Sequence, residues 1–421
     1  MHGEVKLGSF RCLKELKIIW CGITKLTGQL EMLKSMKVIE FFSYRRAPQP
    51  LPGLPTSLNR LIISSPVPNL SDLKNLEELQ FEHCEVELRI PGYIWKLSKL
   101  KTLILTECPC ESLLMEDGSL PSSLNCLHVQ QCDPVSRLPN LANLNSLTEL
   151  RLSSVKVREI HGLGGLTLLT TLEISFAPNL TTLDGLENLV LLTALTVRDC
   201  CAMTRLPSLA TLKKLCSLEV LECELLTEIQ GLSTVALQRL VLVGCESIHT
   251  LPPLSKLKKL KTLFFNYNDK LSRIEGLEQL ISLQKLELWN CRSITKLGDL
   301  SGLRNLKDLQ ILRCPQLTEI TGLERLVSLQ GLSITGCTSI NKLSPLSSLK
   351  RLKGLHIERC TQLSEITGLE GLESLEELWL HNCPSIRELP GLSCLISNLE
   401  TLDIKGCTQL PQVIGPRGVN R

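Results

Sequence analysis

Aromatic residues are scarce, 14 in 421, or 3% of the chain. Histidine is scarcer, with 7 copies, scattered along the chain with no shared spacing. The 19 cysteines contain no Cys-x-x-Cys pair, which argues against a zinc module, and no metal or cofactor is expected. There is no Gly-x-x-x-x-Gly-Lys-Ser/Thr phosphate loop, no His-Glu-x-x-His and no Gly-x-Ser-x-Gly elbow. Gly162-Leu163-Gly164-Gly165 lacks the Lys that a phosphate loop requires. These absences lead us to expect a protein that is not an enzyme. Charge is nearly balanced, with 46 basic against 43 acidic residues and a net +3, so no nucleic-acid partner is expected. No apolar run reaches the length of a membrane span, and Met1-His2-Gly3-Glu4 lacks the regions of a signal peptide. An odd number of Cys without paired spacing suits a reducing compartment. The expected location is the cytoplasm, with the nucleus also open to it, and no membrane partner.

What is abundant is leucine at fixed spacing. Leu286 and Leu288 are two apart before Cys291, so they share one face of a short strand, with Lys285, Glu287 and Trp289 on the other. Beyond the Cys the apolar spacing becomes three, at Ile294, Leu297, Leu300, Leu303 and Leu306. The unit recurs every 23 residues at Cys291, Cys314, Cys337, Cys360 and Cys383. A fixed period in this range marks a solenoid, because a single strand of this length buries its apolar face only when the next unit stacks beside it. Thirteen of the 19 Cys share the same position, a column of small side chains at the strand ends: Cys21, Cys84, Cys108, Cys132, Cys200, Cys223, Cys245, Cys291, Cys314, Cys337, Cys360, Cys383 and Cys407.

The unit resembles the leucine-rich repeat over almost the whole chain. That resemblance implies an α/β repeat solenoid, a horseshoe with a parallel inner β-sheet and an irregular or short-helical convex side. It also implies that the Cys position, which holds Asn or Cys in this pattern, faces inward and hydrogen-bonds the neighbouring turn. We count 18 strand positions. Residues 1–145 are expected to form irregular repeats, 146–410 regular ones of 22–24 residues, and 411–421 a disordered tail. Met115-Glu116-Asp117-Gly118 reads as a surface turn, and Trp95 in a return segment reads as packing. Gly276-Leu277-Glu278, Gly322-Leu323-Glu324 and Gly368-Leu369-Glu370 mark one of two alternating repeat types, with glycine allowing a tight bend.

The concave strand positions hold Trp20, Phe42, Phe176, Phe264, Tyr267, Trp289 and Trp379, half of all the aromatics. Exposed aromatics on a soluble surface point to partner contact. Leu221, Val241, Val243, Phe264, Trp289 and Leu312 fall on five successive strands, with Tyr267 beside them. They are expected to form one apolar patch about 20 Å long, and Trp379 is a further candidate contact. Glu219, Arg239, Lys285, Glu287, Asp308 and Arg313 would form its polar rim.

The strand Leu286-Glu287-Leu288-Trp289-Asn290-Cys291 and the segment from Leu317 to Glu324 resemble repeats of plant nucleotide-binding leucine-rich-repeat disease resistance proteins, of the type with a Toll/interleukin-1 receptor domain. The resemblance implies a sensor in plant defence. Its protein partner would be a pathogen effector or the receptor's own nucleotide-binding module. The chain carries neither the nucleotide-binding motifs nor the signalling domain, so nucleotide binding and NAD cleavage are not carried over. A substrate adaptor of an F-box ubiquitin ligase and a stand-alone scaffold are the alternatives.

Overall fold

The structure is a computed structural model, and it describes residues 5–7, 10–21, 26–27, 30–43, 51, 53–64, 67–84, 87–89, 94–111, 113, 120–132, 135–395 and 397–411. The expected turn Met115–Gly118 and the tail beyond Pro411 lie outside these residues, as do the side chains of Trp20 and Cys21. The chain divides into two compact units, residues 1–215 and 216–421.

In the first unit nine strands pair in chain order, every pair parallel: Glu15–Cys21, Val38–Ser43, Arg60–Ile63, Glu78–Glu82, Thr102–Thr106, Cys126–Gln130, Glu149–Ser153, Thr171–Ser175 and Ala194–Arg198. The second unit repeats the arrangement with Ser217–Leu221, Arg239–Val243, Thr262–Asn266, Lys285–Trp289, Asp308–Leu312, Gly331–Thr335, Gly354–Glu358, Glu377–His381 and Thr401–Lys405. The register is in step from strand to strand. Leu263 aligns with Leu286 and then Leu309, so every second side chain joins a continuous buried row.

Of the irregular or short-helical return expected, the helical alternative is not found. Among the described residues there is no α-helix; the returns hold single 3₁₀ turns such as Leu277–Gln279 and Leu323–Arg325. Apolar spacing explains this. Leu300, Leu303 and Leu306 recur every third residue and all are buried. Leu303 N donates to Leu300 O at 2.9 Å and Leu306 N to Leu303 O at 2.9 Å, so chemistry and geometry share a period of three, not 3.6.

At Gly276 the glycine does more than permit a bend. Its φ is +82°, and a Cβ there would lie 2.5 Å from the Ser255 backbone nitrogen of the preceding return. Gly276→Ala combines left-handed strain with a backbone clash. We expect it to cost roughly 1–3 kcal/mol, read as a lower urea midpoint; an unchanged midpoint would show that the stack yields there.

Eleven of the thirteen column cysteines are buried as expected, Cys407 in the last repeat is only half-buried, and the side chain of Cys21 lies outside the described residues. Burial pushes the Cys132 thiol up to about 11 and raises Cys245 as well, so these groups stay protonated near neutrality. Maleimide is expected to label exposed Cys12, Cys201 and Cys394 in the native protein, and the buried set only on unfolding. Peptide mapping that found the column labelled under native conditions would contradict the packing.

Candidate functional site

In the second unit the strand face opposite the leucine core is organised in three rows. One runs Ser217, Arg239, Thr262, Lys285, Asp308; the next Glu219, Val241, Phe264, Glu287, Gln310; the third Leu221, Val243, Asn266, Trp289, Leu312. Leu221, Val243, Phe264, Trp289 and Leu312 all lie on this face and are half-buried, as a surface patch requires. Within the expected patch these side chains fall in two adjacent rows, Phe264 in the middle row and Leu221, Val243, Trp289 and Leu312 in the third.

Three residues depart from the expected arrangement. Val241 is only 2% exposed, so it lies on the face but offers little surface. Its short side chain stands between Glu219 and Phe264, and Arg239 Nε reaches across to Glu219 Oε1 at 2.7 Å beside it. Glu287, expected on the rim, stands in the middle row between Phe264 and Gln310 and is 8% exposed, its charge met by Lys285 Nζ at 3.2 Å. Asn266 interrupts the third row, where it accepts a hydrogen bond at 3.0 Å from Asn290 Nδ2.

Phe264 and Trp289 form the centre. Their rings meet edge to face, centroids 4.9 Å apart at 75°. The Trp289 indole Nε1 is shielded from solvent and has no hydrogen-bond acceptor among the described residues. An unmet buried donor costs about 1–3 kcal/mol, so a movement of the indole that brought Nε1 to a bound acceptor would be favourable.

Tyr267 stands at the strand end, 44% exposed. It has φ +51° and belongs to a column that the sequence pattern did not reveal: among the described residues twelve non-glycine residues, each at a strand end, have φ between 50° and 61°. The left-handed turn lets the amide continue the ladder, as Tyr267 N donates to Trp289 O at 3.2 Å. Asn, Asp, His and Gly at this position were the available signal. The same conformation recurs from repeat to repeat, so it is a property of the turn, and Tyr267 is set apart by its exposed ring and not by its backbone.

Trp379 does not join this patch. In its row the strands between carry Gln310, Ser333 and His356. The structure instead places it between His356 and His381, with ring centroids 5.1 and 5.8 Å away. In the first unit Phe176 is exposed, with the Arg198 guanidinium 5.5 Å from its ring centre, whereas Phe42 is buried at 7% exposure and cannot serve as a contact. Trp95, read as packing, is exposed on a 3₁₀ turn with Lys96 Nζ 5.4 Å from its ring centre.

A family model for the BspA-type leucine-rich repeat region matches residues 300–411 in 6 copies. A leucine-rich repeat protein of Leptospira interrogans superposes with a TM-score of 0.55 at 18% identity, covering 90% of this chain and 93% of that one. YopM from Yersinia enterocolitica gives 0.51 at 20% identity, covering 97% and 90%. The receptor of the TLR13–ssRNA13 complex gives 0.55 at 18%, covering 96% and 72%. At these identities the likeness shows the fold, a leucine-rich repeat solenoid with parallel strands. Among the described residues no helix is long and apolar enough to cross a membrane.

Proposed function

We propose that the chain is a protein-recognition module whose outward sheet face in residues 216–421 binds a partner through Phe264 and Trp289, flanked by Leu221, Val243, Leu312 and Tyr267. The observation that carries this reading is the half-buried Phe264–Trp289 pair with its unmet indole donor, on a face where most neighbours are polar or charged. Aromatic anchors inside a polar rim are what hot spots are made of. The partner is a protein that inserts an apolar group and a hydrogen-bond acceptor. On the resemblance of Leu286–Cys291 and Leu317–Glu324 to plant immune receptors, we place that partner as a pathogen effector. Its binding would regulate an attached or partner nucleotide-binding module in plant defence. The setting is the cytoplasm or nucleus, and the chain acts by binding alone, without catalysis.

The test is a binding screen of the chain against pathogen effector proteins, repeated with the Phe264→Ala, Trp289→Ala double variant. Effectors bound by the wild type and lost by the variant support the reading. Effectors bound equally by both place recognition elsewhere, and binding only to a nucleotide-binding module makes the patch an internal regulatory contact.

A further inference from the structure

Cys126 does not belong to the buried column. It opens the strand Cys126–Gln130 in the first unit, and its side chain lies on the outward face with that of His128, two residues on. Leu127 between them points into the core. Directly opposite Cys126 on the next strand is Glu149. Thiol, imidazole and carboxylate converge: Cys126 Sγ is 3.2 Å from His128 Nε2, which is 3.1 Å from Glu149 Oε1, and all three donor atoms lie within 4.8 Å of one another.

We propose that Cys126, His128 and Glu149 form a three-ligand site for a borderline-soft divalent cation of the zinc class. Bond lengths to tetrahedral zinc of about 2.3 Å from sulfur and about 2.0 Å from nitrogen or oxygen put neighbouring donors about 3.3–3.5 Å apart. Two of the three donor separations are within a few tenths of an ångström of that before any cation enters. The donor set, one thiolate, one imidazole and one carboxylate, suits zinc better than magnesium or calcium, which prefer oxygen alone. The cation takes the place of the Cys126 thiol proton, which leaves to solvent. All three residues are half-buried, so the fourth position faces solvent and would be filled by water.

Arg151 adds a second layer. Its Nε donates to Glu149 Oε1 at 2.7 Å and its guanidinium lies 3.4 Å from Glu173 Oε2, which fixes the carboxylate in place. It also brings a positive charge close to the cation, so the geometry is favourable and the electrostatics are opposed.

The experiment is a Co²⁺ titration of the full chain with a non-thiol reductant. Saturation at one equivalent is expected, with a near-ultraviolet thiolate-to-cobalt charge-transfer band and intense d–d bands of a four-coordinate ion, all abolished by added Zn²⁺. Cys126→Ser should remove the charge-transfer band, whereas Cys223→Ser in the buried column should not. His128→Gln and Glu149→Gln should each weaken binding, and Zn²⁺ should raise the melting temperature of the wild type but not of Cys126→Ser. Circular dichroism of the metal-free variants checks that they fold. Absence of the charge-transfer band in the wild type, or its survival in Cys126→Ser, overturns the proposal.

Discussion

Replacing Phe264 and Trp289 together by Ala is expected to weaken partner binding by about 4 kcal/mol, close to a thousandfold, while the far-ultraviolet spectrum stays that of the wild type. The two rings are in edge-to-face contact at 4.9 Å, so removing either unseats the other. Each single change should therefore cost more than half of the double loss, and the cycle should not add. The fold should survive because Leu286, Leu288, Leu263 and Phe265, the core-facing residues of the same strands, are untouched. Stability should still fall by the aromatic contact itself, about 0.5–1.5 kcal/mol, plus the area lost. Trp289→Phe separates two contributions. It keeps a ring but removes the indole donor, which has no acceptor among the described residues. A further loss of about 1 kcal/mol in binding, with no loss of stability, would show that the partner supplies the acceptor. Equal affinity of wild type and double variant for a partner would remove this face from the account.

The contrast between what could be read from the sequence and what could not follows from the range of each interaction. Leu286 and Leu288 before Cys291 specify a strand, and the 23-residue recurrence specifies its neighbour, so the parallel ladder was legible residue by residue. The period of three in Leu300, Leu303 and Leu306 was legible and fitted a tight return, but the choice between a short helix and a 3₁₀ turn depends on hydrogen bonds that spacing alone does not fix. The patch was legible only in outline. Alternation shows which face Val241 and Glu287 lie on, but their burial depends on Phe264, Arg239 and Lys285, which arrive from adjacent strands or beside them. The trio of Cys126, His128 and Glu149 was hidden for the same reason. Cys-x-x-Cys is a local spacing, whereas this cluster needs the strand register that sets Cys126 against Glu149. The left-handed column before the Cys position was also passed over, since Phe176, Tyr267 and Arg313 obscure the Asn, Asp and Gly found in other repeats.

One repeat tests the logic of the column more sharply than any cysteine. After Phe264-Phe265-Asn266-Tyr267 the Cys position is held by Asn268, which is 1% exposed. Its Nδ2 donates to Leu242 O at 2.9 Å and to Asn266 O at 3.2 Å. These match the two carbonyls that Cys314 Sγ reaches, Leu288 O at 3.6 Å and Leu312 O at 3.7 Å. Asn268 also accepts, at Oδ1, the Cys245 amide at 3.2 Å. Asn268→Ala strips all three bonds from a site that water cannot reach, and the expected cost is about 3 kcal/mol in urea or thermal unfolding. Asn268→Cys keeps only one of the two donations at a time, because a thiol has a single proton, and it loses the amide oxygen that accepts from Cys245 N, so about 2 kcal/mol is expected. Asn268→Asp should be the worst of the three, because it sets a buried carboxylate against Leu242 O and has no donor to offer while ionised. The order wild type, Cys, Ala, Asp therefore tests donation and acceptance separately. If Cys and Ala were equally costly, the thiols of the column would be fillers of space, and the bonds they make to the neighbouring turn would contribute nothing to holding the repeats in step.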